Sequence, residues 1–195
     1  MKILIGCEYS GRVRQAFRDL GHDAWSCDLL DSDDDSPHHL KEDVLNVIHW
    51  NNWDMAIFFP PCTHLASSGA RWFKDKQEEQ RDALDFVREL MEADIPKIAL
   101  ENPVGVISTK IRKPDQIVQP YWFGDRARKT TCLWLKNLPR LEPTNMVEPN
   151  LITYANGKTF SADYGVGFST NHNHRRSITY RGIAMAMASQ WGKKA

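Results

Sequence analysis

Apolar residues cluster in short blocks separated by turn residues and charged stretches, and the blocks follow two periods. Lys2–Gly6 is a short apolar run and reads as a buried strand; a glycine-containing turn follows it. Residues 13–20 carry apolar positions at helical spacing, with Gly21 placed to stop the helix. His22–Cys27 reads as a second short strand that ends at Asp28. A strand–turn–helix–strand opening of this kind predicts an α/β fold with a parallel sheet. Residues 31–41 are acidic and polar and read as a loop. Residues 55–59 form a strongly apolar strand cut off by Pro60-Pro61. Residues 75–93 predict an amphipathic helix, because Ala83, Leu84, Val87, Leu90 and Met91 recur at helical spacing while charged residues fill the other face. Asp94 and Pro96 follow its end, and residues 97–100 make another strand. Residues 132–135 read as a later strand, closed by a turn at Pro139. Residues 142–180 show no period and no repeat and read as irregular. Tyr180–Trp191 reads as a terminal helix closed by Gly192.

The length of 195 residues predicts one domain, and an apolar content of 42% is enough for a core. No apolar run reaches the length of a membrane span, and the N-terminal stretch reads as a strand rather than a signal peptide. Cys7, Cys27, Cys62 and Cys132 form no Cys-x-x-Cys pair, which argues against a structural zinc site. With no export signal, reduced thiols and a cytoplasmic location are the better expectation. Formal net charge is zero, so composition alone does not announce a nucleic-acid partner. The charge is unevenly placed, however. Five aspartates fall between Asp28 and Asp35, and residues 110–140 hold eight Lys or Arg against two Asp. Such asymmetry fits a basic face and equally fits solvated loops.

In open parallel sheets, ligands bind outside the carboxyl ends of the strands. Three predicted ends carry unusual residues: Cys7-Glu8-Tyr9-Ser10-Gly11, Pro60-Pro61-Cys62-Thr63 and Glu101-Asn102-Pro103. Taken singly, each has a plain reading. A lone cysteine is most often inert in the core, a glutamate after a strand is often merely exposed, and any strand–helix turn needs a small residue. Two prolines ahead of Cys62 make a stiff loop able to present a thiol outward, and together the three ends would line one edge of the sheet.

The order of these motifs resembles the DNA cytosine-5 methyltransferase family. Tyr9-Ser10-Gly11 is similar to its Phe-Ser-Gly-x-Gly turn, residues 54–63 to its Pro-Pro-Cys-Gln loop, and Glu101-Asn102-Pro103 to its Glu-Asn-Val motif. Residues 129–139 and 186–192 resemble small members of the family, of the kind carried by bacteriophages, that lack a large target-recognition domain. The resemblance implies a Rossmann-like S-adenosylmethionine-dependent methyltransferase fold, with a mostly parallel central sheet flanked by helices. It implies a single domain over residues 1–195, with 142–180 as a small irregular insertion where a target-recognition domain would stand. The implied activity is methyl transfer from S-adenosylmethionine to C5 of cytosine in DNA. Cys62 would be the nucleophile and Glu101 the acid at cytosine N3, with Asn102 holding the loop. Tyr9, Ser10, Gly11, Asp28, Asp43 and Pro60 would meet the cofactor. Pro61, Thr63, Arg126, Arg128 and Lys129 would meet the substrate. No metal and no membrane are expected. The sequence departs from the family at Arg12 and Val13 after Gly11, at Phe58 and Phe59 before the prolines, and at Thr63.

Other readings stand beside this one. The same chemistry on RNA uses the same motifs. A degenerate relative that only binds nucleic acid or a partner would also fit the glycine-poor turn. His172 and His174, two apart, would share a metal if they lay on a strand. A redox role for Cys62 lacks a resolving cysteine nearby in sequence. Asn171, His172, Asn173, His174, Arg175 and Arg176 are further candidates for DNA contact, and weak sequence specificity is expected.

Overall fold

A computed structural model describes residues 1–50, 52–72, 75–155, 157, 159–162 and 178–193. Its centre is a seven-stranded sheet in the order β3-β2-β1-β4-β5-β7-β6. The strands are β1 (Lys2–Gly6), β2 (Asp23–Asp28), β3 (His39–Lys41), β4 (Met55–Phe58), β5 (Ile98–Pro103), β6 (Gln116–Val118) and β7 (Thr131–Lys136). Neighbours from β3 to β5 run parallel; β7 runs antiparallel to both β5 and β6. The helices are α1 (Arg12–Asp19), α2 (Val44–Val47), α3 (Gln77–Glu92), α4 (Ile107–Lys110) and α5 (Arg181–Trp191).

Side chains alternate across a strand, so one sheet builds two cores. Leu4, Ala56, Phe58, Ile98, Leu100 and Trp134 point to one side and pack with Leu84, Val87 and Leu90 of α3 and Val44 and Val47 of α2. Ile3, Ile5, Met55, Ile57, Ala99 and Leu133 point to the other, against Val13 and Phe17 of α1 and Ile183, Ala184 and Met187 of α5. Both faces are covered, and the central strands are accordingly apolar throughout. The expected α/β fold, a mostly parallel sheet flanked by helices, is the one observed.

The structure departs from the sequence reading in several places, β6 being one strand not expected, and the following bear on the site. Glu101 and Asn102 do not follow their strand but lie inside β5, because β7 pairs with it as far as Pro103↔Thr131. The apolar strand before the prolines ends at Phe58, one residue short of Phe59. Residues 31–41 are not all loop: His39–Lys41 adds a short edge strand to β2, too brief and polar to show a period. Residues 142–180 are not wholly irregular: β8 (Leu151–Thr153) and β9 (Thr159–Ser161) form an antiparallel hairpin. Its three-residue strands are too short for alternation to stand out. Asn171, His172, Asn173, His174, Arg175 and Arg176 lie outside the described residues.

Candidate functional site

Strand order reverses between β1 and β4. The chain moves outward through β2 and β3, then returns to β4 and β5 on the other side. A crevice at the carboxyl ends is the consequence of such a switch point. A cleft opens there, lined by Cys7, Glu8, Tyr9, Ser10 and Phe59, with Ile178 and Thr179 beside it. Arg12 Nη1 donates to the Thr179 carbonyl at 3.3 Å, so the turn after β1 and the approach to α5 are tied together.

Glu8 organises this turn. Its side chain is buried, and its carboxylate accepts from the backbone N–H of Val13 at 2.7 Å and of Arg14 at 3.2 Å. The Ser10 hydroxyl donates to it at 3.2 Å. These amides are among the donors that the first turn of α1 cannot satisfy within itself. Burial pushes the Glu8 carboxyl up, against the pull of those amides and of the Arg14 guanidinium. Gly11 precedes the helix at φ +67°, and a Cβ there would collide with the Arg14 guanidinium. Arg14 is itself fully buried. It donates to Ser26 Oγ at 2.8 Å and pairs with Asp34, which draws the acidic 31–35 loop onto the sheet.

Asp28 ends β2 half-buried, with Oδ1 accepting from the Leu30 N–H at 3.0 Å. Burial raises its carboxyl, opposed by that amide and by His39. Asp43 caps α2 through the Leu45 N–H at 2.9 Å. Burial, then the charges of Asp28, Cys27 and Asp43, push the Cys7 thiol far up. Cys7 also holds φ +58°, an unusual conformation for a residue with a side chain.

The second cluster spans β4 and β5. Phe58 is in register with Leu100, so residues 60–62, which follow β4, stand beside residues 101–103, the last of β5. Asn102 is buried, and its Nδ2 donates to the Pro60 carbonyl at 2.8 Å, tying the proline loop to β5. The chain after Cys62 turns at once, since the Cys62 carbonyl accepts from Leu65 N–H at 3.0 Å and Ala66 N–H at 2.9 Å. Ala66 then bridges Gly105, where any Cβ would overlap the Leu65 carbonyl. The loop is therefore clamped on both sides of the thiol. Pro60 is buried, whereas Pro61, Cys62 and Thr63 are exposed. Cys62 is the one exposed cysteine of the four. Burial pushes the Cys132 thiol up to about 11, helped by Glu101, and the Cys27 thiol up to about 12, helped chiefly by Asp28 and Glu42. A buried, protonated thiol is a poor nucleophile.

Burial raises the Glu101 carboxyl, and the Lys129 ammonium pulls it the other way. Lys129 reaches this edge because β7 pairs Thr131 with Pro103. Arg126 and Arg128 belong to the same loop and are exposed. Arg128 Nη2 donates to the Thr159 carbonyl at 2.6 Å, bracing the β8–β9 hairpin.

The structure thus gathers Tyr9, Ser10, Gly11, Asp28 and Asp43 around the β1–β2 end of the edge, and Pro60, Pro61, Cys62, Thr63, Glu101, Asn102 and Lys129 around the β4–β5 end. Arg126 and Arg128 stand at its margin. Sequence reasoning missed Glu8 as the anchor of the turn and Arg14 as the buried cation beneath it. The available signal was an arginine on the apolar face of α1, between Val13 and Phe17, ahead of an acidic run. Among the described residues, no helix is long and apolar enough to cross a membrane, and no group of His, Cys, Asp and Glu has the makings of a metal site.

No protein-family model and no curated protein matches the chain. Among solved structures it is similar to a prophage-encoded E. coli protein assigned as a DNA modification methyltransferase, with TM-score 0.51 and 15% identity over 75% of this chain. The match takes in 51% of that protein, so the chain spans about half its length. At this identity the likeness is one of fold: the two share the α/β arrangement.

Proposed function

We propose that the chain is an S-adenosylmethionine-dependent methyltransferase that modifies C5 of cytosine in DNA through a covalent Cys62 adduct. The observation that carries this reading is the Asn102–Pro60 hydrogen bond. It fastens an exposed thiol and a carboxyl raised by burial onto neighbouring strand ends.

The cofactor cleft supports a nucleoside without phosphate at the helix. In dinucleotide-binding sheets a pyrophosphate sits on the first helix N-terminus. Here Glu8 already occupies the Val13 and Arg14 amides, so neither is left for a phosphate. Tyr9 and Ser10 would flank the bound cofactor, with Asp28 placed for ribose hydroxyls and Asp43 for the adenine amine. When bound, S-adenosylmethionine supplies an electrophilic methyl group.

Cytosine C5 is a weak nucleophile because its ring must lose conjugation to react. The Cys62 thiolate adds to C6 and forms a C–S bond, which makes C5 enamine-like. Glu101 holds a proton at N3 and so stabilises the charge that addition places on the ring. Its half-buried setting, which favours the protonated carboxyl, suits that task. Lys129 tempers the shift, so that the proton can be given and regained. Asn102 keeps the loop in register with β5. Once C5 carries the methyl group, water takes the C5 proton as the C6–S bond breaks, which releases the Cys62 thiolate and restores the ring. A duplex target requires the base to leave the stack, at about a few kcal/mol. The likeness to the prophage protein agrees with DNA as substrate.

The test is incubation with methyl-labelled S-adenosylmethionine and DNA, followed by nucleoside analysis. Label in 5-methylcytosine supports the reading. Label confined to another base, or to RNA when both are offered, overturns it.

A further inference from the structure

The β8–β9 hairpin stands at the edge that carries Glu101 and Asn102; both faces of β8 are exposed, Leu151 at 40% included, and the two rings of the hairpin share one face. Three bonds fix it there: Asn150 N–H to the Arg126 carbonyl at 2.8 Å, Arg128 N–H to Ser161 Oγ at 3.2 Å, and Arg128 Nη2 to the Thr159 carbonyl at 2.6 Å. Arg126–Lys129 lead directly into β7, whose first residues pair with Asn102 and Pro103. The register pairs Leu151 with Ser161, Ile152 with Phe160 and Thr153 with Thr159. Because side chains alternate along a strand, Leu151, Thr153, Thr159 and Ser161 share the face that meets Arg128, where Ser161 is buried. Ile152, Phe160 and Tyr154 take the opposite face. They are 42%, 43% and 46% exposed, and the Tyr154 and Phe160 rings meet edge to face with centroids 5.6 Å apart.

A two-stranded ribbon is marginal in water, and aromatic rings left bare on it call for a partner. The charge beside it indicates which partner. Arg126 and Arg128 are exposed against a single exposed carboxylate, Glu148, on the approach to β8, and no carboxylate lies on either strand. A polyanion with flat apolar surfaces fits a cationic loop joined to a pair of rings, which describes a nucleic-acid strand with unpaired bases.

We infer that the β8–β9 hairpin is a base-stacking arm, with Tyr154 and Phe160 holding unpaired bases of the substrate strand beside the Cys62–Glu101 edge while Arg126 meets its phosphates. The inference rests on the nucleic-acid reading above. It adds the element that grips the strand and the form of strand gripped. Stacking tolerates any base, so the arm confers affinity and little sequence choice.

The full chain is titrated, without cofactor, against a fluorescent single-stranded oligodeoxynucleotide and its duplex, and anisotropy is read. The wild type binds the single strand more tightly than the duplex. Tyr154→Ala and Phe160→Ala each weaken single-strand binding on the order of tenfold. Phe160→Leu, which keeps the apolar face but not the ring, weakens it similarly, while Tyr154→Phe and Phe160→Trp stay within about twofold of wild type. Unchanged thermal melting shows that the variants fold. Alanine variants that bind as wild type does overturn the arm, as does a wild type with no affinity for the single strand. So does a wild-type dimer that the alanine variants abolish with binding intact, since the face would then meet a second copy. A wild type that shows the predicted stacking pattern but transfers no methyl group refutes the catalytic reading and supports the arm.

Discussion

Glu101 and Asn102 are neighbours in sequence with different tasks, and alternation along β5 is the reason. Asn102 is buried and spends its Nδ2 on the Pro60 carbonyl. Glu101 points to the other face, where burial favours its neutral form. Asn102→Ala leaves the Pro60 carbonyl without its donor, at a cost of about 1–3 kcal/mol. It should also speed alkylation of Cys62 by a small electrophile, because the loop loses its tie. Thermal melting and thiol labelling measure the two effects, and unchanged labelling would mean that the loop is held by its other contacts alone. Glu101 gives a pH test. Its folded pKa lies above the unfolded one, so the folded chain binds more protons and this group's stabilisation drains away as pH rises above the unfolded range of about 4.3. Glu101→Gln is neutral throughout and has nothing to lose. Its melting temperature should therefore gain on wild type as pH climbs from about 5 to about 8. A constant offset across that range would contradict the burial effect. That the Pro60-Pro61-Cys62 loop and Glu101-Asn102 would share one edge of the sheet was legible in the sequence from the order of the motifs. The influence of Lys129 on Glu101 was not, since it depends on which strand pairs with β5.

Helix α1 shows what local pattern does and does not reveal. Its apolar spacing and the stop at Gly21 predict its extent to within a residue. Its N-terminus is another matter. No Ser, Asp or Asn at the cap position holds the first amides; Glu8 does so from the strand side. Removing it by Glu8→Ala leaves two buried N–H groups unpaired. A loss of about 2–4 kcal/mol is expected in chemical unfolding. Glu8→Gln retains one acceptor and should lose less. Equal stability of Glu8→Ala and wild type would show that water replaces the carboxylate. The strand β3 and the β8–β9 hairpin were invisible for a simple reason. Three-residue strands carry too few positions for a period, and partners far along the chain decide whether they pair.

Across the whole molecule, the sheet order turns scattered motifs into one edge. The reversal between β1 and β4 sets the Glu8 turn beside the proline loop, although some fifty residues of sequence separate them. The antiparallel β7 brings Lys129 and the hairpin to the same edge. The fold class was legible from the first strand–helix–strand unit, whereas the antiparallel insertion of β7 was not, because no local pattern carries strand direction. Phe58, Leu65, Leu100 and Ile107 are buried in one core close to this edge, so the candidate site is seated on packed side chains. The claim that unites these observations is that Cys62 bonds to C6 of the target base. A DNA substrate carrying 5-fluorocytosine tests it directly, because fluorine cannot leave as the C5 proton does. With S-adenosylmethionine present, the intact mass of the wild type should rise by one methylated oligonucleotide, the modified peptide should contain Cys62, and Cys62→Ser should form no adduct. Methylation that proceeds with no adduct, or an adduct that persists in Cys62→Ser, would contradict the account.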